Sequence, residues 1–283
     1  RDGSVFARTP SDRDDLFLSP RLGARWRPWP ALAFKANAGR YFRPPTLPES
    51  FGDRGFVVGN PELLPEKGLT ADVGLVFAPS RAAGPWDRVF FETATFVSRV
   101  TDLIALVPTA GRSARPVNLT DATIWGQEIA VSARLGRQVT LSGNYTFLDS
   151  RQSSPWVSFD GKALPSRPRH ELYARTEWAA QYASARTLRL YGDVNYLSGN
   201  FLDAANLNEV PARFFLGAGA RVDLSETIAI SVDGKNLLDE RVESVALPSE
   251  PIPGVRSLSR AVSDVLGYPL PGRALYATVE ARF

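Results

Sequence analysis

Apolar side chains recur at every second position of residues 275–283, and the positions between them are mostly polar. A period of two predicts a β-strand that is apolar on one face only. The last strand of an outer-membrane barrel has this pattern, because one face meets lipid and the other meets water or polar groups. We therefore predict a membrane strand here and assign the terminal Phe283 to a membrane-assembly signal.

The same period recurs along the chain and predicts about eleven strands. Ten of them precede the terminal strand, over residues 19–27, 32–41, 69–77, 88–100, 123–135, 139–149, 170–178, 188–197, 212–222 and 227–239. Most are close to the ~9–11 residues with which a tilted β-strand crosses a bilayer.

The connections between these strands alternate in length. Short links are expected near residues 28–30, 78–87, 135–138, 179–187 and 223–226, and every intervening link is long. Outer-membrane barrels have short turns at the periplasmic side and long loops outside. A β-sandwich or propeller has no reason to keep its long loops at one end. The sequence thus predicts an all-β, transmembrane, antiparallel up-and-down β-barrel with a periplasmic carboxy-terminus.

Composition removes several other classes of protein. The chain has 283 residues, and no apolar run approaches the ~18 residues of a membrane helix, so a helical membrane protein is excluded. It has no cysteine, which excludes disulfides and thiolate chemistry. The formal net charge is only +3 and the arginines are scattered, so we expect no nucleic-acid partner. Because the sequence also lacks methionine, we expect a piece of a longer protein.

Seven segments resemble one family, the TonB-dependent outer-membrane receptors. Residues 42–47 (FRPPTL) and 59–66 (GNPELLPE) resemble its FRAPTL and GNPxLxPE segments, in the same order. The resemblance continues through residues 117–128, 145–149 (YTFLD), 165–170 (PSRPRH), 236–239 (NLLD) and 267–273 (GYPLPGR). We interpret Asn60-Pro61 and Pro65-Glu66 as loop architecture, because Pro stiffens a loop and Asn initiates turns.

The resemblance implies a 22-stranded barrel filled by an N-terminal plug, which imports a scarce ligand such as a ferric siderophore or cobalamin. Transport in the family is driven by the TonB complex acting on the plug. About eleven strands are half of that number, so residues 1–283 are expected to be the carboxy-terminal half of the barrel domain, without the plug. The expected partners are the plug, the remaining strands, the TonB complex, the ligand and outer-membrane lipid, in the bacterial cell outer membrane.

Aromatic and arginine side chains in the long loops are the best candidates for ligand capture. They are Phe42, Arg43, Phe56, Trp156 and Phe201. No catalytic residue, metal site or cofactor is predicted. Two alternatives stay open: a passive, porin-like barrel, and an outer-membrane hydrolase that uses the only histidine, His170, with Ser166 in the same segment.

Overall fold

A computed structural model describes residues 16–53, 55–80, 84–109, 113–184, 186–241 and 271–281. Eleven strands form one antiparallel sheet, and each pairs with the next one along the chain. They are β1 (Arg21–Trp29), β2 (Leu32–Arg43), β3 (Glu66–Phe77), β4 (Trp86–Thr109), β5 (Ser113–Leu135), β6 (Val139–Ser153), β7 (His170–Ala183), β8 (Arg186–Leu197), β11 (Arg213–Asp223), β12 (Ile228–Lys235) and β13 (Ala274–Ala281). The predicted assembly signal, Phe283, lies outside the described residues.

Three short elements lie in the connections. The helix α1 (Leu47–Phe51) follows β2, and β9 (Asn200–Phe201) pairs with β10 (Glu209–Val210) between β8 and β11. Thr46 caps α1, since its hydroxyl accepts from the Glu49 backbone while the Glu49 carboxylate accepts from the Thr46 backbone. No helix in the described part of the chain is long and apolar enough to cross a membrane.

The predicted long link between the strands at residues 88–100 and 123–135 is wrong. β4 and β5 continue through this region as strands of 24 and 23 residues. The pairing shifts register between Val100 and Leu103, and Asp102 has a φ of 59°. Such a bulge inserts an extra residue and reverses which face the following side chains occupy. The alternation in the sequence therefore breaks although the strand does not.

The sheet has two chemically different faces. The apolar face carries side chains such as Leu69, Val73, Leu275 and Val279, which are 61–71% exposed in this chain. The polar face carries Asp72, Glu128, Asn144, Arg175, Asp193, Asn195 and Lys235. Exposed leucine and valine on one whole face require a nonaqueous neighbour.

The connections separate into two rims. The strand ends at the short-turn rim are joined by short links in the sequence, which are 30–31, 78–85, 136–138, 184–185 and 224–227. The strand ends at the long-loop rim are joined by long links, which are 44–65, 154–169, 198–212 and 236–273. The extended β4–β5 hairpin also projects from the long-loop rim. The alternation of link length was thus predicted correctly, with the strand pair replacing one loop.

The aromatic rings of the polar face lie against glycines. A Cβ atom added to Gly68 would be 2.2 Å from the Tyr41 ring, and one added to Gly219 would be 2.4 Å from the Tyr191 ring. Glycine at these positions leaves room for a ring to lie flat on the neighbouring strand. The packing of the polar face therefore depends on glycine and aromatic residues in matched positions.

Candidate ligand-facing loops and polar face

The connection after β2 is organised by one arginine. Arg43 ends β2 on the polar face and forms a bidentate pair with Glu66, at 2.8 Å from Nε to Oε2 and 2.7 Å from Nη2 to Oε1. Its Nη1 also donates to Glu49 Oε2 at 3.0 Å. One guanidinium thus joins the end of β2, the helix α1 and the start of β3.

These contacts also shift the protonation equilibrium of Glu49. Burial raises the pKa of Glu49, but the hydrogen bonds from Arg43 and Thr46 outweigh burial and leave the pKa below its ordinary range. Glu49 is therefore held as a carboxylate, which is the form that both the cap and the ion pair require.

Two asparagines fasten this loop to the β4–β5 hairpin. The buried Asn60 donates from Nδ2 to the Pro116 carbonyl at 2.9 Å. Asn118 Oδ1 accepts from the Leu64 N–H at 2.8 Å, and its Nδ2 donates to the Leu64 carbonyl at 2.9 Å. An amide side chain that bonds both the N–H and the C=O of one residue takes the place of a paired backbone segment. The Asn-Pro and Pro-Glu segments thus build the loop, as interpreted from the sequence.

The loops after β6 and β8 are joined in a similar way. Gln152, which is 3% exposed, donates from Nε2 to the carbonyls of Ala163 and Ala204, both at 2.9 Å. Asn206 Nδ2 also donates to the Ala163 carbonyl at 2.9 Å. Leu164 and Val210 of these two loops are buried. Residues 154–169 and 198–212 therefore form one packed unit.

Asp203 anchors a tight turn within this unit. Its carboxylate accepts from the backbone N–H of Leu207 at 3.1 Å and of Asn208 at 2.7 Å. Burial raises the pKa of Asp203, but these backbone hydrogen bonds lower it further, so the net shift is downward. The turn is consequently stabilised by the charged carboxylate.

The last described connection is closed by the NLLD segment. Asn236 accepts from the Glu240 N–H at 2.8 Å and donates to the Glu240 carbonyl at 3.0 Å. Asp239 accepts from the Arg273 N–H at 3.0 Å, which lowers the pKa of Asp239 together with the nearby Arg241. This motif thus joins the end of the β12 connection to the residues just before β13.

The polar face contains a cavity of about 570 Å³ near the long-loop rim, between β7 and β13. Arg175 lies over the Tyr191 ring at 4.0 Å from the ring centre, and Tyr191 donates a hydrogen bond to Asp233. Lys235 lies 5.4 Å from the centre of the Tyr276 ring. Cationic and aromatic side chains in one cavity can hold an anionic or aromatic group.

The five predicted ligand residues do not share one location. Phe42 lies on the apolar face, stacked on Phe17 with ring centres 4.5 Å apart. Arg43 is committed to its two carboxylate partners on the polar face. Phe56 and Trp156 are 55% and 64% exposed in separate long loops, while Phe201 lies in β9.

The Ser198 hydroxyl accepts a hydrogen bond from the His170 backbone N–H at 3.0 Å, whereas the His170 imidazole contacts aromatic residues. Its Nδ1 is 2.8 Å from the Tyr145 hydroxyl, and its ring centre is 5.4 Å from that of Phe147. Ser166 instead donates its backbone N–H to the Phe201 carbonyl. Within the described ranges, no group of three or more His, Cys, Asp or Glu residues is arranged to hold a metal ion.

Sequence reasoning missed Asn118, Gln152 and Asn206, which assemble the loops. Each of them has a partner that is distant in the sequence, at 54, 52 and 43 residues, and no local pattern signals these long-range contacts. The Thr46–Glu49 capping box, in contrast, has a readable spacing.

Comparison with known proteins identifies a family and individual proteins that this chain resembles. A family model described as "TonB dependent receptor-like, beta-barrel" matches residues 1–237. The "Iron-regulated outer membrane virulence protein" of Vibrio cholerae serotype O1 is 26% identical over 243 residues, which are 80% of this chain and 36% of that protein. The chain thus spans about a third of the length of the curated relatives that it matches.

Two solved structures show the same fold. The copper transporter OprC superposes with a TM-score of 0.70 at 17% identity, over 94% of this chain and 39% of OprC. The ferric yersiniabactin uptake receptor FyuA from Yersinia pestis has a TM-score of 0.69 at 17% identity, over 93% of this chain and 37% of FyuA.

Proposed function

The chain belongs to the TonB-dependent receptor family and matches the model of its β-barrel. From this premise we propose that it forms part of the barrel wall of an outer-membrane importer of a ferric siderophore. The name of the Vibrio cholerae relative, an iron-regulated outer membrane protein, supports both a role in iron uptake and a location in the outer membrane. A structural neighbour, the ferric enterobactin receptor of Pseudomonas aeruginosa in complex with enterobactin, supports the same ligand class. The observation that carries the proposal is the family match together with the two-faced sheet.

The two faces of the sheet correspond to two solvents. In this proposal the apolar face meets lipid and the polar face lines the lumen, where a plug would contact Asp72, Arg175 and Lys235. The long-loop rim faces outward, and β13 ends at the periplasmic side. Loops fastened by Arg43, Asn118 and Gln152 present a stiff rim, which lowers the entropy cost of holding a ligand.

The edges of the sheet indicate what completes the barrel. Within the described residues, β1 pairs only with β2 and β13 only with β12. Because eleven alternating strands begin and end in the same direction, a second copy in the same orientation would place a parallel strand beside β13. An all-antiparallel ring requires an odd number of further strands. We therefore assign closure to other barrel strands of the receptor, and energised transport to its plug and the TonB complex.

The exposed loop aromatics are the proposed ligand contacts. Phe56 and Trp156 are available for stacking, and Phe201 lies beside the turn that Asp203 organises. Arg43 acts by positioning the loop rather than by touching the ligand, since its guanidinium already has two partners. Phe42 lies on the apolar face, away from the polar face that lines the proposed lumen.

An uptake experiment in a strain lacking the gene tests this function. The strain would be complemented with the gene and supplied with a panel of ⁵⁵Fe-loaded siderophores, or with labelled cobalamin. We expect uptake of at least one ferric siderophore, and we expect a protonophore to abolish it. Uptake that survives the protonophore would indicate a passive porin, and uptake of cobalamin alone would contradict the assignment to iron.

A further inference from the structure

A row of basic residues crosses the apolar face at the long-loop rim. Register places Arg40 beside Leu69, Leu69 beside Arg99, Arg99 beside Thr123 and Thr123 beside Arg151. Adjacent strands are about 4.8 Å apart, so arginines on alternate strands are separated by about 10 Å. Most other side chains of this face are apolar, although Lys67, Asp121 and Asp149 also lie on it near the same rim, and the three arginines share one row.

Two of these arginines have no side-chain partner in the part of the chain that the structure describes. Arg151 lies 3.5 Å from the Asp149 carboxylate. For Arg40 and Arg99, the described part of the chain provides no side-chain hydrogen bond or ion pair, and both residues are exposed. A cation at the margin of an apolar surface is stabilised when an anionic headgroup lies beside it.

A groove of about 620 Å³ joins these two arginines to the apolar surface. Its lining includes Arg40 and Arg99 together with Leu22, Leu69, Ala71 and Val97. Leu22, Leu69 and Val97 are 77%, 62% and 42% exposed. The groove thus has a cationic end beside the long-loop rim and an apolar floor toward the middle of the sheet.

We propose that this groove binds a phosphate-bearing lipid of the adjoining membrane leaflet. Arg40 and Arg99 hold the phosphate from both sides of Leu69, because guanidinium groups bind phosphate oxygens in pairs. The acyl chains lie along Leu22, Ala71 and Val97. The charge of the groove matches an anionic headgroup, and the position of the apolar floor matches the hydrocarbon region. The site is independent of the imported ligand.

The test uses the protein purified from outer membranes in detergent. Native mass spectrometry would measure retention of dioleoyl phosphatidic acid and of dioleoylglycerol, which has the same chains without phosphate. We expect selective retention of phosphatidic acid. Each arginine near a membrane surface contributes about a fivefold effect, so we expect Arg40→Gln/Arg99→Gln to weaken binding by about 30-fold.

A matched control lies in the same row. Arg151→Gln removes an arginine that is already paired with Asp149, and we expect it to change phosphatidic acid binding by less than about twofold. Retained folding of each variant is checked by its heat-dependent gel mobility. Equal retention of both lipids, an unchanged double variant, or an equally strong effect of Arg151→Gln would each overturn the site. Displacement of the lipid by equimolar inorganic phosphate would overturn the lipid assignment.

Discussion

Gln152 offers the sharpest test of how the long loops are held together. Its side chain is 3% exposed and donates to the carbonyls of Ala163 and Ala204. Substitution Gln152→Ala removes both hydrogen bonds and leaves the Ala204 carbonyl without this donor, while Asn206 still donates to Ala163. Each lost hydrogen bond costs about 1 kcal/mol, and the emptied space adds a further penalty. The free energy required to open the two loops should therefore fall by about 2–3 kcal/mol.

Hydrogen–deuterium exchange measures this opening directly. A loss of 2–3 kcal/mol corresponds to exchange that is about 30- to 150-fold faster in residues 160–165 and 203–207. Exchange within the strands should not change, because the backbone hydrogen bonds of Gln152 are retained. Gln138→Ala is the control, since Gln138 is exposed in a turn at the opposite rim. Acceleration below about fivefold, or equal to that of the control, would refute the assignment of Gln152 as the joint between these loops.

Three further predictions follow from the contacts described above. Gly219→Ala should displace the Tyr191 ring and lower the thermal unfolding midpoint, at a cost of about 1–3 kcal/mol of stability. The control Gly192→Ala should be tolerated, because its added Cβ would be 3.7 Å from the nearest atom. Equal unfolding midpoints of the two variants would contradict this prediction. The pKa of the Asp203 carboxyl is depressed in the folded protein. The stability that this carboxylate contributes is therefore complete above the ordinary pKa of 3.8 and is lost as the pH falls through the lower pKa of the folded state. The NMR chemical shift of the Leu207 amide should follow this titration, and the pH dependence should disappear in Asp203→Asn. Lysine cannot form the bidentate ion pair that Arg43 forms with Glu66, so Arg43→Lys should accelerate amide hydrogen exchange in residues 44–52 by about fivefold. This corresponds to about 1 kcal/mol after allowance for partial solvent exposure. Unchanged exchange would show that the Arg43–Glu66 pair is dispensable for the loop.

Most of the sheet could be predicted because each strand separates two environments. Alternation is enforced at every position when one face is apolar and the other polar, and one-residue slips would exchange the two faces. The prediction failed where this constraint is relaxed. After Val100 the bulge at Asp102 changes the register, and residues 103–107 of the extended hairpin are all apolar, so the sequence shows no alternation there.

The candidate site was less accessible to sequence reasoning. Arginine and aromatic residues in loops were selected by type, which identified exposed Phe56 and Trp156 correctly as loop side chains. Type alone could not show that Arg43 is neutralised by Glu66, which lies 23 residues away. Nor could it show that Phe42 lies on the apolar face, since that depends on where the strand ends.

The most direct test of the two-faced barrel uses neighbouring positions in one strand. The chain contains no cysteine, so Asp72→Cys and Val73→Cys each introduce a single labelling site. With an environment-sensitive fluorophore on each variant in bilayers, nitroxide-labelled lipid should quench the label at position 73 strongly and the label at position 72 weakly. Equal quenching at both positions would contradict the claim that this strand separates lipid from a polar lumen.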